Sequence, residues 1–400
     1  MASGEIVSGE TGRGKTGSGR ASSESVVRLR RDPESWLRGA WEEGTHPILA
    51  AGLRALSVGY RAALLVRGFS YDWHLLSTRR LPCPVVSLGN LTVGGSGKTP
   101  LVELAALTLV ALGAAPVVVS RGYGRSTRGV HVVADRQSVR LGARGAGDEP
   151  LLLAERMPGI PVVVGENRFD AGRHAVETLG ASVIVLDDAY QNRTVAKTLE
   201  ILVVSARSPW GNGSLFPSGR LREPLSALRR AHLVIVTNPR GDEEVEAVTR
   251  TLRLHDSPAP VATARYEPVE ARRAGDGARL PLAELARRRF LAFGGLAAPR
   301  SFMETAQGLG IPLAGFVEFG DHHWYSEGDL AELARRAALA GAEGLITTEK
   351  DAMRLRDFAL PPLPLWILSV RMVLTTGQAA WVNALRQVAA PARAMASPQK

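Results

Sequence analysis

A glycine-rich segment that ends in a lysine and a threonine lies in the first third of the chain, with the sequence Thr92-Val93-Gly94-Gly95-Ser96-Gly97-Lys98-Thr99. It lies between a β-branched run at 84–88 and an apolar stretch at 98–112, which predicts a strand, a loop and a helix in that order. In such an arrangement backbone N–H groups and the helix N-terminus bind phosphate oxygens, the lysine neutralises their charge, and the threonine can reach Mg²⁺. The segment therefore predicts a phosphate-binding loop for a nucleotide. Thr92 stands where the usual pattern has glycine, and the alternative is a glycine-rich turn with an incidental lysine.

A phosphate loop of this kind needs a further carboxylate for the metal ion, at the end of a neighbouring strand. Asp187 and Asp188 follow the hydrophobic run 183–186 and meet this requirement. Two adjacent carboxylates repel each other, so packing alone explains them poorly, whereas Mg²⁺ prefers oxygen ligands. We predict that Thr99, Asp187 and Asp188 bind Mg²⁺, with a solvated loop as the alternative for the acidic pair.

Two other residues can take the proton of an acceptor hydroxyl during phosphoryl transfer. Asp148 lies where a helix is predicted to begin, and His322 follows a predicted strand in the second half of the chain. From the residues alone, Asp148 is more typical of a helix N-cap than of a base. A metal site at His322 and His323 is disfavoured, because adjacent residues seldom bind one ion. The segment 237–242 lacks the Asn-Lys-x-Asp pattern of GTPases, which argues against guanine selection.

Alternating strands and helices must position these residues. From residue 83 onward, β-branched runs separated by helical stretches indicate a mostly parallel sheet with helices on both faces. The strands of this part are predicted at 84–88, 116–120, 162–164, 182–186, 200–205 and 232–237. A second series is predicted at 261–266, 290–293, 314–319, 344–348 and 365–370. The predicted fold class is α/β: a P-loop NTPase-like sheet, a smaller C-terminal α/β domain and an N-terminal amphipathic helix at a membrane surface.

Composition and pattern divide the chain into five segments. We predict a disordered tail at 1–43, an amphipathic segment at 44–80, a P-loop kinase domain at 81–240, a smaller domain at 241–390 and a disordered C-terminus at 391–400. With 400 residues, of which 45% are hydrophobic and 22% charged, the chain is long enough for two cores and is unlike disordered, collagen-like or polytopic membrane proteins. Its single cysteine excludes an internal disulfide framework and a cysteine-based zinc site.

The net charge of +10 indicates an anionic partner. The distribution of the charge along the chain indicates which kind of anionic partner this is. Residues 44–80 contain five basic residues and one acidic residue, whereas residues 1–43 contain seven of each. The apolar residues of 47–67 form a wide helical surface that is followed by Trp73 and further arginines. Arginines interrupt this surface too often for a transmembrane span. The segment is therefore predicted to lie on an anionic membrane surface, with packing against the domain core as the alternative.

Seven sequence blocks follow one another along the chain. They are 87–99, Ser120-Arg121-Gly122-Tyr123-Gly124-Arg125, Gly147-Asp148-Glu149-Pro150, Asp187-Asp188-Ala189-Tyr190-Gln191-Asn192-Arg193, Gly219-Arg220-Leu221-Arg222-Glu223-Pro224, Asp321-His322-His323 and Thr347-Thr348-Glu349-Lys350-Asp351. Their order and content resemble the tetraacyldisaccharide 4′-kinase family, the lipid A 4′-kinases of Gram-negative bacteria. The resemblance extends from about residue 47 to about residue 385. One departure is Asn192, where the family usually has histidine.

The resemblance implies a kinase that transfers the γ-phosphate of ATP to the 4′-hydroxyl of a tetraacylated glucosamine disaccharide 1-phosphate. It implies ATP and Mg²⁺ as cofactors, and a peripheral position on the cytoplasmic face of the bacterial inner membrane. It also implies Asp148 as general base with His322 as its partner. Nucleotide or substrate contacts are implied for four residues around the cleft: Arg121, Gln191, Arg222 and Glu223. Because Asp148 and His322 fall in different predicted domains, we expect closure of the cleft to assemble the site and exclude water.

Two other functions fit parts of the sequence. A kinase of a soluble metabolite fits if the helix at 47–67 is buried. A nucleic-acid-stimulated ATPase fits the excess of basic residues. Aromatic residues are only 6% of the chain, however, and arginine runs such as 287–289 are short, so no nucleic-acid partner is expected. No protein partner is evident from the sequence.

Overall fold

The computed structural model of the protein describes residues 26–28, 41, 47–296, 299–356, 358–360 and 362–396. Within these ranges the strands belong to one sheet. They are β1 (Val26–Arg28), β2 (Val85–Gly89), β3 (Pro116–Ser120), β4 (His131–Ala134), β5 (Val162–Val164), β6 (Val183–Asp187), β7 (Leu199–Ser205), β8 (Leu233–Thr237), β9 (Val261–Arg273), β10 (Arg279–Leu280), β11 (Phe290–Gly294), β12 (Leu313–Glu318), β13 (Gly344–Thr348) and β14 (Leu365–Thr376). The α-helices are α1 (Pro47–Asp72), α2 (Lys98–Ala111), α3 (Ala143–Ala146), α4 (Asp148–Arg156), α5 (Arg168–Leu179), α6 (Asp242–Leu254), α7 (Leu282–Leu285), α8 (Pro299–Gly308), α9 (Glu327–Leu339), α10 (Glu349–Leu355) and α11 (Gln378–Ala396).

The sheet joins two parallel halves through an antiparallel pair of long strands. Its order is β1-β12-β11-β13-β14-β9-β8-β7-β2-β6-β3-β5-β4, and β10 pairs with β9. Neighbours run parallel except β14 with β9, β10 with β9 and β4 with β5. The predicted mostly parallel α/β class is confirmed. Because β2 lies between β6 and β7, the residues that follow β2 and β6 meet at the same edge of the sheet.

Helices cover both faces of the first half of the sheet. Successive side chains of a strand point to opposite faces, so the buried residues of β2 divide between two cores. Val86 and Leu88 pack in one core with apolar residues of α2, α4 and α11, whereas Val85 packs with α5 in another. This two-sided burial explains why the strands contain continuous runs of valine, isoleucine and leucine.

Most predicted strands agree with the structure to within about one residue at each end. Strands β9 and β14 are the exceptions, because they continue well beyond 266 and 370 and pair with each other along most of their length. Their distal parts carry exposed charged pairs such as Glu267 with Arg371, which in the sequence are typical of a solvated loop. Strand β4 was not predicted, since four residues give too short a periodic signal.

Two predictions of disorder are wrong for part of their ranges. Val26–Arg28, within the predicted tail, form an edge strand parallel to β12. Helix α11 continues to Ala396, through part of the predicted disordered C-terminus. Three strand residues are too few for a pattern, and Pro391 normally signals a helix end although the alanines around it favour a helix. The rest of 1–43, apart from residue 41, and residues 397–400 lie outside the described residues.

The end of the chain returns to the first half of the sheet. Trp381 of α11 is buried, and its indole Nε1–H donates to Thr108 Oγ1 of α2 over 3.2 Å. Leu385 and Val388 belong to the same core as Val86. The domain division at residue 240 therefore stays a prediction, and the last helix of the second predicted domain contributes to the core of the first.

Helix α1 lies on the protein surface. Among its apolar residues only Leu53 and Tyr71 are buried, whereas Ile48, Val58 and Val66 are exposed. One face of the helix therefore packs against the protein, as the alternative expected, and most of its apolar residues stay exposed. In the part of the chain that the structure describes, α1 is also the one helix that is long and apolar enough to cross a membrane, by length and composition alone.

Gly89 ends β2 where the chain passes closest to Tyr190. A Cβ atom at residue 89 would lie 2.6 Å from the backbone nitrogen of Tyr190, which is fully buried. We expect Gly89→Ala to lower the free energy of unfolding by about 1–3 kcal/mol, the range for overpacking a core. Chemical denaturation measures this change. The control is Gly328→Ala, whose Cβ would approach nothing closer than 3.7 Å, and equal stability of the two variants would contradict the close packing.

Candidate active site

The phosphate loop joins β2 to α2 and lines a cavity of about 1040 Å³. Helix α2 begins at Lys98 directly after Gly97, whose φ of 83° lies in the left-handed region that favours glycine. Val93 through Thr99 line the cavity, so the loop amides and the N-terminus of α2 border the space that phosphate would occupy. Thr92, which was predicted to bind the nucleotide, does not line it and forms a β-bridge with Leu221.

Asn90 holds the loop and its lysine in place. The Asn90 side chain is fully buried; its Nδ2–H donates to the Thr92 carbonyl oxygen over 2.7 Å, and its Oδ1 accepts from Lys98 Nζ over 3.1 Å. Gln191 Nε2 donates to the Asn90 carbonyl oxygen over 2.8 Å. No role for Asn90 was predicted from the sequence. The available signal was an amide side chain directly after a buried strand.

Asp188 faces the cations of the loop. Strand β6 pairs with β2 in a register that sets Asp187 opposite Leu88, so the acidic pair ends beside the phosphate loop. The Asp188 carboxylate accepts from Arg222 Nη1 over 3.0 and 3.1 Å and lies 3.6 Å from Lys98 Nζ. Burial raises the pKa of Asp188, but the charges of Lys98 and Arg222 outweigh burial and lower it to about 2.

Asp187 differs from its neighbour, because its buried carboxylate forms no ion pair with Lys98 or Arg222. Its Oδ2 accepts a hydrogen bond from Ser120 Oγ over 2.9 Å. Burial, followed by the charges of Glu149 and Asp188, raises the pKa of Asp187 to about 6. A carboxylate whose charge is this poorly compensated would be stabilised by a bound cation.

The acidic pair and Thr99 fit Mg²⁺ by the chemistry of their donor atoms. All three offer oxygen ligands, and all three line the same cavity as the phosphate loop. Among the residues described, no group of three or more His, Cys, Asp and Glu side chains is placed to hold a metal ion. Mg²⁺ usually binds one or two carboxylates and completes its coordination with phosphate oxygens and water.

Asp148 and His322 lie together in the cavity, although they are 174 positions apart in the sequence. His322 Nδ1 lies 3.0 Å from Oδ2 and 3.2 Å from Oδ1 of Asp148. Gly147, with a φ of 92°, separates α3 from α4 and leaves Asp148 as the first residue of α4. The two side chains are already in hydrogen-bond contact, so the closure expected from the sequence is not needed to bring them together.

The charge of Asp148 is stabilised from several sides. Burial disfavours its ionised form, but the hydrogen bond with His322 and the charges of Lys350 and Arg354 outweigh burial and hold its pKa below the usual range. Asp148 is therefore ionised throughout the neutral pH range and able to accept a hydrogen bond from a substrate hydroxyl. Lys350 and Arg354 were missed in the sequence analysis. The signal was the charged run 349–351 directly after a buried strand.

Three of the four predicted cleft residues line the cavity, and one does not. Arg121, Gln191 and Arg222 border it. Glu223 is instead buried in an ion pair with Arg230, whose guanidinium lies 4.7 Å from the centre of the Tyr190 ring. The Glu223 side chain thus contacts the protein interior and not the cavity. The sequence block alone could not indicate this placement.

Helix α1 forms one wall of the same cavity. Tyr60, Leu64 and Arg67 line it. The Tyr60 hydroxyl donates to the carbonyl oxygen of Arg222 over 2.9 Å, and Arg67 Nη2 donates to that of Gln191 over 2.8 Å. An apolar surface helix is therefore attached directly to the chain segments beside the acidic pair.

Comparisons with known proteins identify a family for most of the chain. The family model described as tetraacyldisaccharide-1-P 4′-kinase matches residues 49–390. The chain is 40% identical over 329 residues to the tetraacyldisaccharide 4′-kinase of Syntrophus aciditrophicus (strain SB), a match that covers 80% of this chain and 88% of that protein. It is 42% identical over 323 residues to the same-named protein of Anaeromyxobacter dehalogenans (strain 2CP-C), covering 79% and 84%.

A solved structure has the same fold. The crystal structure of LpxK from Aquifex aeolicus in complex with ATP superimposes with a TM-score of 0.67. The sequences are 28% identical, and the match covers 85% of this chain and 99% of that chain.

Proposed function

Because the chain belongs to the tetraacyldisaccharide 4′-kinase family, we propose that it transfers the γ-phosphate of ATP to the 4′-hydroxyl of a tetraacylated glucosamine disaccharide 1-phosphate, with Asp148 as general base. The observation that carries this proposal is the shared cavity. It brings the phosphate loop, the acidic pair and the Asp148–His322 pair together against a wall formed by the apolar helix α1. A kinase of a soluble metabolite would not need that wall.

Each residue has a distinct task in the proposed transfer. Lys98 and the loop amides hold the phosphates, and Thr99, Asp187 and Asp188 would hold Mg²⁺, which when bound neutralises phosphate charge. The 4′-oxygen forms a bond to the γ-phosphorus as the bond to the β-phosphate oxygen breaks, and Asp148 accepts the hydroxyl proton. Phosphoryl transfer depends on position more than on base strength, so a carboxylate with a lowered pKa suits the task.

Transfer of radiolabelled γ-phosphate tests the proposed function. Purified protein, labelled ATP and Mg²⁺ are incubated with a tetraacylated disaccharide 1-phosphate dispersed in detergent, and the lipid product is separated by thin-layer chromatography. We expect label in the lipid and none when the acceptor lacks its 4′-hydroxyl. Absence of lipid label together with ATP hydrolysis stimulated by RNA or DNA would instead favour the nucleic-acid alternative.

We place the enzyme on the cytoplasmic face of the inner membrane, with α1 lying along the membrane surface. One face of α1 is docked on the protein: Ser57 Oγ donates to the Leu215 carbonyl oxygen over 3.0 Å, and Asp72 pairs with Arg193 at 2.7 Å. A helix that crossed the bilayer would carry these polar partners into hydrocarbon, which is costly. Val58, Leu65 and Phe69 recur at helical spacing on the opposite, exposed face.

Removal of this exposed apolar face should release the protein from membranes. We expect Leu65→Glu/Phe69→Glu to lower binding to anionic phosphatidylglycerol vesicles at least about tenfold, because each inserted apolar side chain contributes roughly 1.5–3 kcal/mol. Vesicle sedimentation measures the bound fraction. The matched control is Leu254→Glu/Leu339→Glu, which alters two leucines outside α1 that are more exposed than Leu65 and Phe69. Equal loss in both double variants would argue against α1 as the membrane contact.

A further inference from the structure

Lys350 is a half-buried cation within reach of three acceptors. It lies in the first turn of α10, directly after β13. Its Nζ is 3.0 Å from Glu149 Oε1, 3.6 Å from Asp321 Oδ1 and 3.2 Å from His322 Nε2. Burial lowers the pKa of Lys350, but the charges of Glu149 and Asp321 outweigh burial and raise it above its usual value. The side chain is therefore an ammonium group with three protons for three neighbours.

The ammonium group restricts the state of the His322 ring. A neutral imidazole carries one N–H, so its other nitrogen accepts. Nε2 lies 3.2 Å from Lys350 Nζ and 3.9 Å from Asp321 Oδ1, so of the two only the ammonium group is within hydrogen-bond distance. Nε2 therefore accepts, which leaves the proton on Nδ1, 3.0 Å from the Asp148 carboxylate. The opposite tautomer would set N–H against the ammonium group and a lone pair against the carboxylate. A doubly protonated ring would also set Nε2–H against Lys350.

We propose that Lys350 is a positioning residue for the general base, because its hydrogen bond to Nε2 fixes His322 in the tautomer whose Nδ1–H holds Asp148. The inference rests on the proposed function for its effect on turnover. It assigns a role to the block 347–351. It also gives a reason why β13, in the second half of the sheet, ends beside Asp148, which belongs to the first half.

Arg354, one helical turn further along α10, supports the same carboxylate. Its Nε lies 3.3 Å from Asp148 Oδ2. Its own position is fixed, since Nη2 donates to Asp351 Oδ1 over 3.0 Å and Nη1 donates to the His323 carbonyl oxygen over 2.8 Å. Helix α10 thus holds Asp148 directly through Arg354 and indirectly through Lys350 and His322.

A tautomer measurement tests the proposal without any substrate. The full-length protein is labelled with ¹⁵N-histidine, long-range ¹H–¹⁵N spectra report each ring, and the His322 signals are identified by their loss in His322→Gln. We expect the Nδ1–H tautomer in the wild type and a mixture in Lys350→Met. In Lys350→Arg, which keeps donors and charge, the Nδ1–H form should persist. An unchanged Nδ1–H ring in folded Lys350→Met would overturn the proposal.

Turnover provides the second readout. We expect Lys350→Met to lower kcat at least about tenfold with KM for ATP within about twofold, and Lys350→Arg to restore most of the loss, since a positioned base contributes about 10²–10⁴-fold. Lys197→Met is the matched control, because Lys197 is also a half-buried lysine beside a glutamate but lies outside the cavity. A kcat that falls equally in Lys350→Met and Lys197→Met would overturn the proposal.

Two further results separate the possible failures. If Lys350→Met does not fold, Lys350→Gln gives the same test with a polar side chain, since its amide can donate or accept and so no longer selects one tautomer. If the wild type labels no lipid, the proposed function fails, and the His322 spectrum still decides whether Lys350 fixes the ring.

Discussion

Replacement of Asp148 by asparagine is expected to lower kcat by about 10²–10⁴-fold and to leave the Kd for ATP within about twofold. Asparagine keeps the size of the side chain but cannot take a proton from the acceptor hydroxyl. It also presents an amide to His322 Nδ1, which lies 3.0 Å from the carboxylate. The cationic side chains that act on Asp148 are Lys350 and Arg354, and neither belongs to the phosphate loop. Loss of the Asp148 charge should therefore leave ATP binding nearly unchanged.

Steady-state labelling of the lipid gives kcat, and titration calorimetry with ATP gives Kd. The chain offers a matched control in a second aspartate–histidine contact, between Asp329 Oδ2 and His323 Nε2 at 3.1 Å. Asp329 also caps α9, so Asp329→Asn should cost about 1 kcal/mol of stability and leave kcat within about twofold. Wild-type turnover in Asp148→Asn, or an equal loss in both variants, would remove Asp148 from the mechanism.

The site residues that could be predicted from the sequence lie in short segments at the ends of strands. The loop 92–99 and the pair Asp187 and Asp188 each follow a buried strand within a few residues, so local pattern predicts both strand and chemistry. Their proximity followed from a general rule, that carboxyl ends of parallel strands meet at one edge. The register of β2 and β6 confirms that expectation.

The parts that sequence reasoning missed depend on contacts between distant segments. Lys350 acquires its proposed role only because α10 contacts α4, and Glu223 pairs with Arg230 and does not border the cavity. The same limit applies to the fold. The pairing of β9 with β14 joins residues about a hundred positions apart, and no local pattern specifies such a partner. Local patterns gave most strand positions, and the continuity of the sheet came from non-local pairing.

Asp188 is expected to oppose nucleotide binding when no metal is present. Its carboxylate neutralises Lys98 at 3.6 Å and Arg222 at 3.0 Å, two cations beside the phosphate loop. The phosphates of ATP must compete for these cations. We therefore expect Asp188→Asn to raise the affinity for ATP in EDTA by about fivefold, which corresponds to about 1 kcal/mol once solvent screening of this partly exposed carboxylate is included.

The same variant should lower the Mg²⁺-dependent kcat by about 10²-fold or more, because a ligand for the metal and its bound phosphates is lost. We therefore expect Asp188→Asn to raise the affinity for ATP in EDTA and to lower kcat in Mg²⁺. A fall in both quantities would contradict competition between the Asp188 carboxylate and the phosphates. Asp187→Asn is the control: the Asp187 carboxylate accepts a hydrogen bond from Ser120 and forms no ion pair with Lys98 or Arg222, so its replacement should give a smaller gain in EDTA than Asp188→Asn.

The pH dependence separates the two carboxylates further. Asp188 has a pKa of about 2 and stays charged across the neutral range, so the gain in EDTA should not change between about pH 6 and 8. Asp187 has a pKa of about 6 and takes up a proton as the pH falls through that value. A protonated carboxyl binds Mg²⁺ poorly, so the Mg²⁺ concentration for half-maximal rate should rise below pH 6 in the wild type. That rise should disappear in Asp187→Asn, and its persistence there would assign the titration to another group.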